Sequence, residues 1–162
     1  MSQARPPKVS HIAPVLRVSD LGQALAYYRD SLKFTVAFEW ADGEGEPVRY
    51  AVLEYGEAGV HLTQSDQPGG ATAYCFVDDI DAYHALAKAS GANITEDIRD
   101  QPWRMREFET RDPDGNVLLF GEHLDRVEMR EKPGHRHLWD SFWYHGIFHP
   151  HDHGASKDGT GD

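Results

Sequence analysis

The side chains best equipped for chemistry in this chain are aromatic rings and scattered histidines, and they point to two kinds of work: stacking and metal coordination. The leading stacking candidate is Trp103. It stands in Gln101-Pro102-Trp103-Arg104-Met105-Arg106-Glu107-Phe108, ahead of the turn sequence Asp112-Pro113-Asp114-Gly115-Asn116 and the apolar run Val117 to Phe120. A tryptophan at a Pro-marked bend beside a hairpin is placed to present its ring to a flat ligand. Phe38 and Trp40 lie in an earlier strand-like run; Phe38 reads ordinarily as core, and Trp40 as either core or ligand wall. Asp42, Glu44 and Glu46 fall in an acidic, Gly-rich loop that would draw a cation, although such a loop is ordinarily a solvated hairpin connection. The metal candidates are His11, His61, His149, His151 and His153. Histidines spaced by two, as in His149-Pro150-His151-Asp152-His153, can chelate loosely, but no closed four-ligand spacing of a structural zinc site accompanies them. No Ser/His/Asp spacing, phosphate-cradling glycine loop or clear carboxylate pair is present, so no catalytic residue is assigned.

These residues are carried by a unit that occurs twice. Val15-Leu16-Arg17-Val18-Ser19-Asp20-Leu21 recurs as Tyr74-Cys75-Phe76-Val77-Asp78-Asp79-Ile80, an offset of 59 residues. In each copy a strand ends in a helix-capping residue and leads into a helix. Leu21, Leu25, Tyr28 and Leu32 share one face of the first helix; Ile80, Tyr83 and Ala87 share one face of the second, which closes at Ser90-Gly91. Strand-like runs follow at Phe34 to Phe38, Tyr50 to Tyr55 and Val60 to Gln64, and again at Asn93 to Ile98, Met105 to Thr110 and Val117 to Phe120. Gln67-Pro68-Gly69-Gly70 links the halves. Each half reads strand–helix–strand–strand–strand.

Bulk properties narrow the function. The 162 residues suffice for one well-cored domain or two small modules sharing a core. A formal charge of -11 without a Lys/Arg cluster argues against a nucleic-acid partner and suits cationic ligands or plain solubility. No apolar run reaches the roughly 20 residues of a membrane span, and residues 1–10 lack a signal-peptide core, so a cytoplasmic protein without a membrane partner is expected. The single cysteine, Cys75, excludes an internal disulfide and reads as a small buried hydrophobe. From Leu124 onward the composition shifts: Trp139, Phe142, Trp143, Tyr144 and Phe148 mix with six of the ten histidines, and these rings are expected to dock on a surface or a second subunit.

Pro14-Val15-Leu16, with Asp20 and Tyr27-Tyr28, is similar to the opening of bleomycin-resistance proteins; Gln101-Pro102-Trp103, Arg106-Glu107-Phe108 and Asp112-Pro113-Asp114-Gly115-Asn116 are similar to their closing segment. On these residues the chain resembles the glyoxalase/bleomycin-resistance/extradiol-dioxygenase group, the vicinal oxygen chelate superfamily, and within it the bleomycin-binding branch. The resemblance implies an α+β fold of two tandem βαβββ modules, residues 11–66 and 71–122, forming curved mixed sheets around a cleft, usually in a homodimer. Residues 1–10 are then an N-terminal arm, 123–153 an aromatic and His-rich extension, and 154–162 a disordered tail. In metalloenzyme members four positions supply His or Glu to a divalent ion. The matching positions here are Ala13, His61, Thr72 and Leu119, of which only His61 coordinates well. His11, two residues from Ala13 on the same expected strand face, would still leave the second module empty.

The resemblance therefore implies binding without a metal cofactor or catalysis: sequestration of a planar, cationic small molecule, a bleomycin-type antibiotic, in dimer-interface clefts. Its implied ligand-binding residues are Trp103, Phe38, Trp40, His61, Arg104, Asp42 and Glu44. Arg104 stands where resistance proteins usually carry glycine, which puts bulk and positive charge beside Trp103. Arg106 and Glu107 are expected to form structural charge pairs across strands. Pro14 is expected to mark an edge strand or an exchanged arm. Two other functions stay open: a divergent metal-dependent enzyme of the superfamily using His61, His11 or the later histidines, and a small-molecule sensor or accessory subunit.

Overall fold

The computed structural model describes residues 9–132. Of the expected 123–153 extension, residues 133–153, with the aromatic rings and His149, His151 and His153, lie outside the described residues, as do the 154–162 tail and most of the 1–10 arm. The chain divides into two compact units, Met1–Val127 and Glu128–Asp162, and the first holds the sheets.

Both halves fold as the repeat requires. The first gives β1 (Val15–Val18), α1 (Leu21–Ala26), β2 (Thr35–Ala41), β3 (Val48–Tyr55) and β4 (Ala58–Gln64). The second gives β5 (Thr72–Phe76), α2 (Ile80–Ala89), β6 (Ile94–Asp100), β7 (Met105–Arg111) and β8 (Val117–His123), followed by α3 (Leu124–Glu131). The strand orders are β1-β4-β3-β2 and β5-β8-β7-β6, called here the N-sheet and the C-sheet. In each the first and last strands of the module pair in parallel and the rest antiparallel, so each is a mixed sheet closed by a helical crossover. No helix among the described residues is long and apolar enough to cross a membrane.

Local chemistry explains these boundaries. Asp20 caps α1 by accepting from the Gln23 amide at 2.9 Å, and Asp79 caps α2 through the Ala82 amide at 3.1 Å. Leu21 and Ile80, the two helix starts, are 59 residues apart, as the repeat predicts. α1 does not stay α-helical to its end: Tyr27–Ser31 widens into a π-helical turn, and Leu32 and Phe34 still reach the core. α2 stops before Gly91, whose φ of 83° ends the helix at little steric cost. Pro14 precedes β1, an edge strand, and its carbonyl accepts from the His61 amide, so the proline needs no donor of its own.

One core serves both modules. Leu16, Val18, Leu21, Tyr28 and Leu62 come from the first half, and Ile80, Tyr83, Phe108 and Phe120 from the second. Tyr83 packs on Phe108, Phe120 and Tyr55 while its hydroxyl donates to the Leu32 carbonyl at 2.9 Å. The Asp112–Asn116 turn ties the modules together. Asp112, buried, accepts from the Asp114 and Asn116 amides, the Asn116 side chain and the Tyr28 hydroxyl, at 2.9–3.0 Å. Asn116 Nδ2 also donates to the Arg17 carbonyl at 2.8 Å, and its Oδ1 accepts from the Ala71 amide at 3.2 Å. Burial and the neighbouring Asp112 push the Tyr28 phenol far above its ordinary value, so it stays a neutral donor. Cys75 packs against this core, and burial pushes its thiol up to about 11, which leaves it a poor nucleophile.

Candidate ligand-binding surfaces

Each sheet turns one face to the shared core and leaves the other outward, and strand register decides which side chains lie outward. Residues directly opposite across strands share a face. On the N-sheet one outward row is Val15, His61, Val52 and Phe38; the next is Arg17, Thr63, Tyr50 and Trp40. Phe38 is 53% exposed, and the ordinary expectation that it is a core residue is wrong. A register shift between Val36 and Phe38 is the cause: Val36, opposite Leu53, packs on the core, whereas Phe38, opposite Val52, turns outward. β2 also continues three residues past the expected end at Phe38, to Ala41, and carries exposed Trp40 into the sheet.

His61 lies within this face rather than at a cluster of ligands. Its Nδ1 shares a 2.5 Å hydrogen bond with the Tyr50 hydroxyl, and the two rings meet edge to face. Asp42, Glu44 and Glu46 sit exposed in the β2–β3 loop, at the Trp40 end of the face, and Arg49 lies 3.4 Å from Asp42. The structure thus brings Phe38, Trp40 and His61 onto one surface with Asp42 and Glu44 at its rim.

Trp103 lies on the other sheet. It is 62% exposed in the turn between β6 and β7, and its indole N–H donates to Glu107 Oε1 at 3.0 Å. The Tyr74 hydroxyl donates to the same oxygen at 2.7 Å. Glu107 is therefore not the cross-strand charge partner that was expected: it is buried on the outward face and accepts from two aromatic side chains. The expectation for Arg106 holds, since its guanidinium meets Asp100 on the neighbouring strand at 2.7 Å and Asp81 at 2.9 Å. Phe76 is exposed beside Tyr74, and His123 stacks on it with ring planes 19° apart. Tyr50, Tyr74, Phe76 and Glu107 were missed as site candidates from sequence, although the alternation of Tyr74 and Phe76 carried a signal for a shared face.

Arg104 has φ 65°, in the left-handed region that glycine occupies freely, which gives a physical reason for the glycine that the resemblance implies at this place. Its guanidinium reaches Asp125 at 2.5 Å, so its charge is spent on α3 rather than left open beside Trp103.

The family model of the Glyoxalase/Bleomycin resistance protein/Dioxygenase superfamily matches residues 8–120. The chain belongs to this superfamily. Bleomycin resistance proteins of Geobacillus stearothermophilus and Staphylococcus aureus are 27% identical over 132 residues, covering 68% of this chain and 95% of theirs. A glyoxalase-related enzyme from Clostridium phytofermentans aligns with a TM-score of 0.62 at 26% identity, over 74% of this chain and 98% of its own. A bleomycin-binding protein from Streptomyces verticillus, solved with copper(II)-bleomycin, shares the fold with a TM-score of 0.59 at 23% identity, over 71% of this chain and 97% of its own.

The superfamily's metal chemistry does not fit these residues. Ala13 and His11 precede β1, so they do not share a strand face as expected, and among the described residues His11 bonds to Ser10 at 2.8 Å. Thr72 and Leu119 offer a hydroxyl and a hydrocarbon, and His61 has one nitrogen engaged by Tyr50. Among the described residues no three His, Cys, Asp or Glu side chains gather as a ligand set.

Proposed function

We propose that this superfamily member binds and sequesters a planar, cationic small molecule of the bleomycin type, without catalysis, in clefts formed where two copies of the chain meet. The observation that carries the reading is the pair of outward aromatic faces: Phe38, Trp40 and Tyr50 on the N-sheet, Trp103, Tyr74 and Phe76 on the C-sheet. Large rings left outward on two sheets are costly in water and are covered profitably by a flat ligand or a second sheet. Each stacked ring pair adds about 0.5–1.5 kcal/mol beyond area burial. The charge of -11, with Asp42 and Glu44 at the rim of one face, speeds encounter with a cation. The resistance proteins it resembles supply the ligand class.

A homodimer is part of the proposal, and the arm before β1 supports it. Ile12 is 91% exposed and Val9 is exposed too, which suits an apolar arm laid on a partner. Light scattering should give twice the 18.3 kDa chain mass. The decisive test of sequestration is recovery of the ligand. Bleomycin incubated with the protein and released by denaturation should return with unchanged mass; a modified product would make the protein an enzyme.

A further inference from the structure

We propose that Glu107, with Tyr74, Phe76, Trp103 and His123 around it, is a cation-recognition subsite on the outward face of the C-sheet. It would take an amidinium, guanidinium or primary ammonium group carried next to a planar ring. The inference deepens the antibiotic-binding reading and rests on it for the natural ligand; the subsite itself rests on the following geometry.

Glu107 is only 4% exposed, yet it lies in the outward row Phe76, Gly121, Glu107, Arg99. Tyr74 and Trp103 both donate to Oε1, and no described residue donates to Oε2, which retains contact with solvent. Among the described residues, the arginines on this and the neighbouring strand are paired elsewhere. Arg99, its cross-strand neighbour, lies 3.6 Å from Glu96; Arg111 pairs with Glu109 at 3.1 Å; Arg106 holds Asp100 and Asp81. A carboxylate held by two neutral donors and no cation is an expensive group to bury, and an incoming N–H cation on Oε2 would complete it.

The surroundings hold the carboxylate in place for that role. Burial and the adjacent Glu107 push the Tyr74 phenol well above its ordinary value, so it remains a donor. Gly121 is what lets Tyr74 reach across: a Cβ at this position would overlap the Tyr74 hydroxyl. The exposed Trp103 ring offers a π face to a planar cation, and Phe76, stacked with His123, stands in the same outward row as Glu107.

The probes are benzamidine and its neutral analogue benzamide, titrated into the full-length protein. The indole N–H resonance of Trp103, assigned with Trp103→Phe, reports on the bond to Glu107. Benzamidine should bind at least about tenfold tighter than benzamide, as expected for a charge-assisted hydrogen bond. Glu107→Gln, whose amide oxygen still accepts from both aromatics, should erase that preference. The Glu107 carboxyl carbon resonance of the unmodified protein should shift with benzamidine along the same curve, a readout that survives if the variant fails to fold. Equal affinity for the two probes, no saturable benzamidine binding, or undiminished preference in Glu107→Gln would overturn the proposal. Loss of bleomycin binding with benzamidine preference intact would sink the antibiotic reading and leave the subsite standing; the reverse pattern would sink the subsite alone.

Discussion

Removing the Tyr28 hydroxyl and the Asn116 side chain, singly and together, tests how the two modules are joined. Both donate to Oδ2 of buried Asp112, at 3.0 and 2.9 Å. Tyr28→Phe removes one donor and leaves three, so it should cost about 1.5–2 kcal/mol, the lower range for a hydrogen bond to a charged group. Asn116→Ala removes the bonds to Asp112 and the Arg17 carbonyl and orphans the Ala71 amide. The Arg17 carbonyl keeps the Gly69 amide at 2.9 Å, which limits the loss to about 2–4 kcal/mol. The double variant strips Oδ2 of both donors, and its cost should exceed the sum of the two by about 1 kcal/mol. Urea unfolding followed by circular dichroism reads these values as midpoint shifts at constant slope. Strict additivity, or a neutral Tyr28→Phe, would refute the idea that Asp112 is the shared acceptor joining the halves.

Other consequences are direct. Trp103→Ala should weaken bleomycin binding about tenfold, yet lower the melting temperature by only about 2–4 °C, because the ring is 62% exposed and Glu107 keeps Tyr74; collapse of the fold would make Trp103 a core residue. Arg104→Gly should be about 1 kcal/mol more stable than Arg104→Ala, since both lose the Asp125 pair but only glycine relieves φ 65°; an alanine variant at least as stable would remove the strain argument. The Ile98 amide first, then His84, hold the Asp97 carboxyl below its ordinary value, and Arg106 does the same for Asp100. Stability from these depressed groups is fully present above the ordinary carboxylate pKa of about 3.9 and is lost as pH falls through their folded values. Arg106→Gln should therefore return Asp100, and not Asp97, toward ordinary titration by carboxyl NMR; equal movement of both would defeat the assignment.

Much of the architecture was legible because it depends on local signals. Asp20 and Asp79 announce the helix starts, the Leu21/Leu25/Tyr28/Leu32 and Ile80/Tyr83/Ala87 spacings give the buried faces, and the repeat gives the module order. What escaped depends on register. Nothing local in Val36-Ala37-Phe38 says that a shift will turn Phe38 outward, and nothing near Glu107 says that Tyr74, 33 residues earlier, will donate to it. The sequence shows the bulk and charge of Arg104, but the backbone conformation that makes glycine the easy residue there, and the partner in Asp125, come from tertiary packing.

Isothermal titration calorimetry of bleomycin into metal-stripped protein decides whether a bleomycin-type ligand binds without metal. Micromolar or tighter binding at about one ligand per subunit, undiminished by chelator, is the expected result. No heat at high protein concentration, or binding that returns only with added metal, would contradict it.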